Sequence, residues 1–320
     1  MNQSYHPHAA MGKKGDPEDG TGTHWRHYIR YINLDDDDLR ASDGGAALLG
    51  FACDEGVIRN NGRPGAKGGP EEIRNTLSRL AWHQNYDMLD AGDITCINGD
   101  LETAQKNFGG RIGQIFNAGY FPIGLGGGHE IAFGHYLGIR NFIQGARLGI
   151  VNFDAHFDMR IPVNNQSTSG TSFYQIAQHC EQHSLPFDYI CIGIQKSANT
   201  ARLFQTAEDL NAQWIIASDV RMDHFRPLQK KLERFLERVD HVYVSFCLDV
   251  FNVAAAPGVS AINPSGPFPQ SIMALCEPIF KSPKVISMDI AELNPLYDLD
   301  HRTAKLAAEI IFNVCEWRQC

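Results

Sequence analysis

The chain has 320 residues, 43% hydrophobic and 20% charged, and its 28 basic against 37 acidic side chains leave a net charge of −9. This is the composition of a globular protein long enough for one large α/β domain or two small ones. The acidic balance gives it no electrostatic reason to seek nucleic acid or an anionic membrane surface, and no run of about twenty uncharged apolar residues predicts a transmembrane helix.

The first residues show no basic segment followed by an apolar one, so no secretory signal is expected. Residues 1–24 are polar and rich in Gly, His and Asp and read as a mobile tail, with residues 25–320 as a single domain. His6, His8, His24 and His27 fall in or beside the tail and read as solvated. The run Asp35-Asp36-Asp37-Asp38 reads as a solvated loop or helix start. From about residue 45 the pattern alternates. Short apolar runs bounded by Gly, Pro, Asp or Asn predict strands at 46–52, 121–125, 147–153, 189–194, 214–218, 241–248 and 284–290. Helical patterns lie between them. One starts at Pro70-Glu71-Glu72, with proline in the first turn and acids at the positive helix end. Others cover roughly 101–118, 129–143, 171–183, 200–211, 226–238, 268–280 and 302–317. Such alternation predicts a mostly parallel sheet covered by helices on both faces. The eight cysteines are scattered, without a CxxC pair, and read as reduced thiols of a cytoplasmic protein.

Three clusters begin where predicted strands end: Gly126-Gly127-Gly128-His129-Glu130, Asn152-Phe153-Asp154-Ala155-His156-Phe157-Asp158 and Ser245-Phe246-Cys247-Leu248-Asp249. In parallel sheets ligands bind beyond the carboxyl ends of the strands, so the clusters are expected to converge. If the chain is still extended after residue 153, Asp154, His156 and Asp158 share one side, and Asp154 is best placed to lie between two ions. Three glycines let the backbone turn tightly before His129. Cys247 and Asp249 complete a set rich in oxygen and nitrogen, suited to Mn²⁺, with one soft sulfur. Two metals sharing a carboxylate make hydroxide from water at neutral pH, which points to a hydrolase. An isolated Asp154 reads as a helix cap and an isolated His129 as a turn histidine; convergence is what favours metal.

These motifs, GGGHE, DAHFD and SFCLD, resemble in order and spacing those of the arginase superfamily of metal-dependent ureohydrolases, over about residues 45–318. The resemblance implies a three-layer α/β/α sandwich and two Mn²⁺ per subunit. His129, Asp154, Asp158 and position 247 would hold one, and His156, Asp154, Asp249 and position 247 the other. Cys247 stands where the family has a bridging aspartate. A thiolate is softer and prefers Zn²⁺ or Fe²⁺, so weaker Mn²⁺ binding and inactivation by oxidation of Cys247 are expected. The residues leave its role open between metal ligand, oxidised thiol and packing group. The histidine that arginases carry about a dozen residues after DAHxD is replaced by Thr171, which argues against an arginase.

Four segments are similar to the formimidoylglutamase group of that superfamily. They are the arginine-bearing loop Gly56–Ala66, Arg160 just after DAHFD, the stretch Gly193–Thr200, and Ala256-Pro257-Gly258-Val259-Ser260. The implied substrate, N-formimidoyl-L-glutamate of histidine degradation, is a small acidic amidine with two carboxylates, which arginine binds in a bidentate fork. Arg160, Arg59 and Arg63, with Asn199, are therefore the candidate carboxylate clamp; the bland alternative for the arginines is surface charge. Asp158 is the candidate proton shuttle. Glu292 matches the family's glutamate at the cationic end of the substrate, against a helix-start role. The expected reaction is attack of a metal-bridging hydroxide on the amidine carbon, releasing L-glutamate and formamide. A guanidino acid such as guanidinobutyrate is the competing substrate, and a non-catalytic metal-binding homologue the competing class. A homo-oligomer is implied by the resemblance alone.

Overall fold

The computed structural model describes residues 23–35, 44–164 and 166–318. Residues 1–22, most of the predicted tail, lie outside them, as do His6, His8, Asp36–Asp38 and Cys320. His24 is not solvated tail: it makes an antiparallel bridge to Ala81.

Among the described residues, nine strands form one sheet. They are β1 (Ile29–Tyr31), β2 (Ala46–Ala52), β3 (Met88–Thr95), β4 (Phe121–Gly126), β5 (Leu148–Phe153), β6 (Asp188–Ile194), β7 (Gln213–Ile216), β8 (His241–Cys247) and β9 (Val285–Ala291). Their order is β1-β3-β2-β4-β9-β8-β5-β6-β7, and the neighbouring pairs run parallel. The helices are α1 (Glu55–Arg59), α2 (Gly69–Leu77), α3 (Leu101–Asn117), α4 (Ile131–Ile143), α5 (Ser172–Gln182), α6 (Ala201–Asp209), α7 (Phe225–Glu237), α8 (Pro269–Phe280) and α9 (Arg302–Trp317).

Side chains alternate across each strand, so β2 feeds two cores. Ala46 and Leu48 join one apolar cluster with residues of α2, α7, α8 and α9. Ala47, Leu49 and Phe51 join the other, with residues of α3, α4, α5 and α6. Because both faces are covered, strands such as β5 and β6 are buried along their whole length. This is the expected three-layer α/β/α sandwich.

β1, β3 and α1 are additions to the elements expected from the sequence. β3 carries Asp90 and Asp93, which break its apolar pattern. Both acids meet Arg74 of α2, at 2.8 and 2.5 Å, and such pairing offsets the cost of burying them.

Candidate metal centre and cavity

The four strands at the middle of the sheet, β4, β9, β8 and β5, end on the same side, and each delivers part of one site. The glycine turn after β4 brings His129, the end of β9 Glu292, the end of β8 Cys247 and Asp249, and the end of β5 Asp154, His156 and Asp158.

The turn is possible only without side chains: a Cβ on Gly127 would meet the Cys53 carbonyl oxygen at 1.7 Å. Gly127 instead accepts from the Glu292 amide at 2.8 Å, and Glu292 Oε1 accepts from the His129 amide at 2.9 Å. The ends of β4 and β9 are thus clasped together. Glu292 has φ 73° and Asp158 φ 48°. Side chains seldom adopt this region, and such strain concentrates at functional sites.

The extended conformation expected for residues 154–158 is not found. β5 ends at Phe153 and the chain bends, because the Asp154 carboxylate turns back to accept from the His156 amide at 2.7 Å. The side chains converge all the same, through a loop and not a shared strand face. Likewise β8 ends at Cys247, and a single 3-10 turn, Leu248–Val250, carries Asp249.

Two groups of side chains have ligand atoms within 4.8 Å of one another: His129, Asp154 and Cys247, and then Asp154, His156 and Asp249. Asp154 belongs to both. Its Oδ2 lies 3.0 Å from His129 Nδ1 and its Oδ1 3.5 Å from His156 Nδ1. His129 Nδ1 also faces Asp158 Oδ2 at 2.9 Å, and His156 Nδ1 faces Asp249 Oδ2 at 3.0 Å. Burial opposes the charge on Asp154, yet hydrogen bonds from His129 and His156 outweigh it and hold its carboxyl low. Burial likewise opposes charge on both histidines, and the facing carboxylates more than compensate, holding the imidazoles above their usual range. Asp158 is pushed up to about 6 by burial and then by the Asp154 charge. Burial, then Asp154, Asp249 and Glu292, push the Cys247 thiol well up. Burial, then Glu130 and Asp249, do the same to Glu292. This concentration of acids and thiol exceeds what two imidazoles can balance, and divalent cations fit it.

His156, Asp158, Cys247, Asp249 and Glu292 floor a cavity of about 270 Å³, walled by Asn60, Asn61, Ser169, Asn199, Leu203, Ser260 and Arg160, with Asp154 and His129 buried behind that floor. Arg160 is exposed and is the one arginine or lysine among the described lining residues. The structure does not bring Arg59 or Arg63 to the wall. Arg59 is spent on Glu55 (3.0 Å), Glu102 (2.8 Å) and the carbonyls of Gly99 (2.7 Å) and Ser167 (3.1 Å). Arg63 donates to the Ser260 carbonyl at 3.0 Å and to that of Val259, and lies over the Tyr297 ring at 4.2 Å. Both brace the loops that form the wall. Asn199 lines the cavity, but its amide donates to the carbonyls of Ala155 and Gln195, both at 2.8 Å, and its Oδ1 accepts from the Phe157 amide at 3.1 Å. Glu130 lies behind the wall, accepting from the Gly56 amide at 2.9 Å. Burial pushes its carboxyl up to about 7.

Sequence reasoning missed Asn60, Asn61, Ser169 and Ser260. Asn60 and Asn61 sit beside the two arginines that drew attention, in a loop too short of periodicity to reveal which side chains face inward.

The arginase family model matches residues 45–316. The chain belongs to the arginase family. Among curated members of the family, a formimidoylglutamase of Chromobacterium violaceum is 44% identical over 270 residues, 84% of this chain and 87% of the relative. One of Clostridium tetani is 40% identical over 314 residues, 96% and 93% of the two. Among solved structures, a variant of Trypanosoma cruzi formiminoglutamase determined with Mn²⁺ superposes with a TM-score of 0.78 at 29% identity, covering 88% of this chain and 95% of that one. A formimidoylglutamase from Bacillus subtilis shares the fold with a TM-score of 0.84 at 21% identity, over 97% and 95%.

Proposed function

We propose that the chain hydrolyses N-formimidoyl-L-glutamate to L-glutamate and formamide, as a step of histidine degradation. One observation carries this reading: two ligand groups sharing Asp154 present Cys247, His156 and Asp249 to a small cavity in which Arg160 is the single arginine among the described lining residues. The curated relatives named formimidoylglutamase support it.

His129, Asp154, Asp158 and Cys247 would hold one ion, and Asp154, His156, Asp249 and Cys247 the other, with Mn²⁺ favoured by the oxygen and nitrogen donors and by the manganese in the Trypanosoma cruzi structure. When bound, the ions would lower the pKa of water and so supply the nucleophile at neutral pH. Arg160 binds a substrate carboxylate and sets the amidine toward the floor. Glu292, buried among acids and held up in pKa, gains a counter-charge when a cationic amidinium arrives, so it selects that end of the substrate. Asp158 has Oδ2 held by His129, which leaves Oδ1 to carry a proton to the departing glutamate nitrogen. The seven described cysteines are free thiols, which favours a reducing, cytoplasmic setting; a homo-oligomer is part of the same reading.

The test is release of formamide and glutamate from N-formimidoyl-L-glutamate after incubation with Mn²⁺ under reducing conditions. Turnover abolished by a chelator is the expected result. No turnover in a folded, metal-loaded chain would refute the assignment.

A further inference from the structure

A buried polar network below the metal centre has no part in the chemistry above. It begins at His129, whose Nε2 lies 2.9 Å from Ser245 Oγ, on the side of the ring away from the acids. Ser245 donates to Asp289 Oδ1 at 2.6 Å. Asp289 Oδ2 accepts from the Tyr243 hydroxyl and faces His135 Nδ1 at 3.0 Å. His135 Nε2 lies 2.5 Å from Ser287 Oγ, which donates to the Pro122 carbonyl at 3.0 Å. His135, Ser245, Ser287 and Asp289 are each 0% exposed. Room for the pair is made on β4: a Cβ on Gly124 would lie 2.8 Å from Asp289 Cβ and 3.0 Å from His135 Nδ1.

The direction of each bond follows from counting hydrogens. Ser287 has one hydroxyl hydrogen and gives it to Pro122, so His135 Nε2 must donate to Ser287. His135 Nδ1 faces a carboxylate oxygen and donates there. The two form a buried hydrogen-bonded pair. Asp289 takes the hydroxyl hydrogen of Ser245, so Ser245 has only a lone pair left for His129. His129 Nε2 must then carry a hydrogen, and Nδ1 is the nitrogen turned toward Asp154 and Asp158. A buried polar pair is poor evidence for stability, since apolar residues of the same volume often serve as well. Two hydrogen bonds from a candidate ligand, it has another use.

We propose that His135, Asp289 and Ser245 are positioning residues that fix the tautomer of His129, keeping hydrogen on Nε2 so that Nδ1 is offered to the metal. The proposal rests on the metal centre of the preceding section. Partners of this kind around a metal-bound histidine orient the ring and raise its basicity. In Asp289→Asn, the new amide can donate to Ser245, which would then turn its own hydrogen toward Nε2 and put the ring hydrogen on Nδ1, where a metal cannot bind.

The test uses the full chain labelled with ¹⁵N in its histidine rings, metal-free and loaded with Zn²⁺ as a diamagnetic probe, together with Mn²⁺ titrations followed by electron paramagnetic resonance. In the wild-type chain His129 Nε2 is expected to keep its hydrogen in both states. Asp289→Asn and Ser245→Ala are expected to weaken Mn²⁺ binding about 10- to 100-fold, while Ser245→Thr, which keeps the hydroxyl, retains the wild-type affinity. Pure packing roles would lower the melting temperature without moving tautomer or affinity. A bare Nε2 in the wild type would overturn the proposal, as would a folded Asp289→Asn chain that binds Mn²⁺ as tightly as wild type. Should Asp289→Asn fail to fold, the wild-type spectrum and the Ser245 pair still decide. A wild-type chain that binds no Mn²⁺ would refute the metal reading, and the metal-free spectrum would still decide the tautomer.

Discussion

Asp154 sits in both ligand groups, so Asp154→Ala should abolish turnover at every Mn²⁺ concentration and leave the purified chain with little bound metal by elemental analysis. Arg160→Ala removes one charge-assisted hydrogen bond to substrate, worth about 1.5–3 kcal/mol. KM should rise about tenfold to a hundredfold with kcat changed little; loss of metal instead would reveal a structural role. Asp158 gives a pH-dependent test in the chelated protein. Its carboxyl is pushed from 3.8 up to about 6 on folding, so the unfolded chain releases the proton first and stability falls as pH rises between those values. At about 1.4 kcal/mol per pKa unit the cost reaches about 3 kcal/mol above pH 6. Asp158→Asn should raise the melting temperature of the metal-free chain at pH 8 and have no such effect below about pH 4. An equal gain at both pH values would contradict this.

The loops of the wall behave as braced units. Arg59 joins α1 to Glu102 of α3 and to the Ser167 carbonyl of the segment that carries Ser169. Arg59→Ala should therefore lower the melting temperature, by loss of charged hydrogen bonds worth about 1.5–3 kcal/mol each, more than the exposed Arg160→Ala does. Thermal denaturation of the two variants makes the comparison. The same contrast explains what could be read in advance. Strands buried on both faces, such as β5 and β6, appear in the sequence as continuous apolar runs, and the metal-ligand candidates stand out because they end such runs. β3 escaped because Asp90 and Asp93 are legible as buried only once Arg74, from another element, is beside them. β1, three residues with partial exposure, has too few positions to show a period. Arg59 and Arg63 read as substrate ligands because charge type is visible in sequence and direction is not; apart from Glu55, the partners that hold them lie far along the chain, where no local pattern records them.

Metal and fold are linked through the same acids. Ligands that repel one another in the metal-free chain are drawn together by cations, and anything that binds the folded state alone stabilises it by mass action, about 2.7 kcal/mol at a hundredfold excess over Kd. The melting temperature should rise with Mn²⁺ and fall on chelation. It should rise further with pH across the histidine range, because the carboxylates hold protons on His129 and His156 that the ions must displace. A melting temperature indifferent to Mn²⁺ would contradict this linkage. The strand order adds a consequence in time. β9 lies between β4 and β8, so the middle of the sheet is filled by the last of the nine described strands to be synthesised. Until β9 inserts, His129 and Cys247 stand on separate half-sheets and Glu292 is missing from both. Asp154, His156 and Asp249 come from the ends of β5 and β8, which pair directly, so that ligand group can form first, and the group containing His129 closes only when β9 inserts. A chain released after residue 284 should therefore lose the ion that His129 helps to hold and retain at most the one held by Asp154, His156 and Asp249.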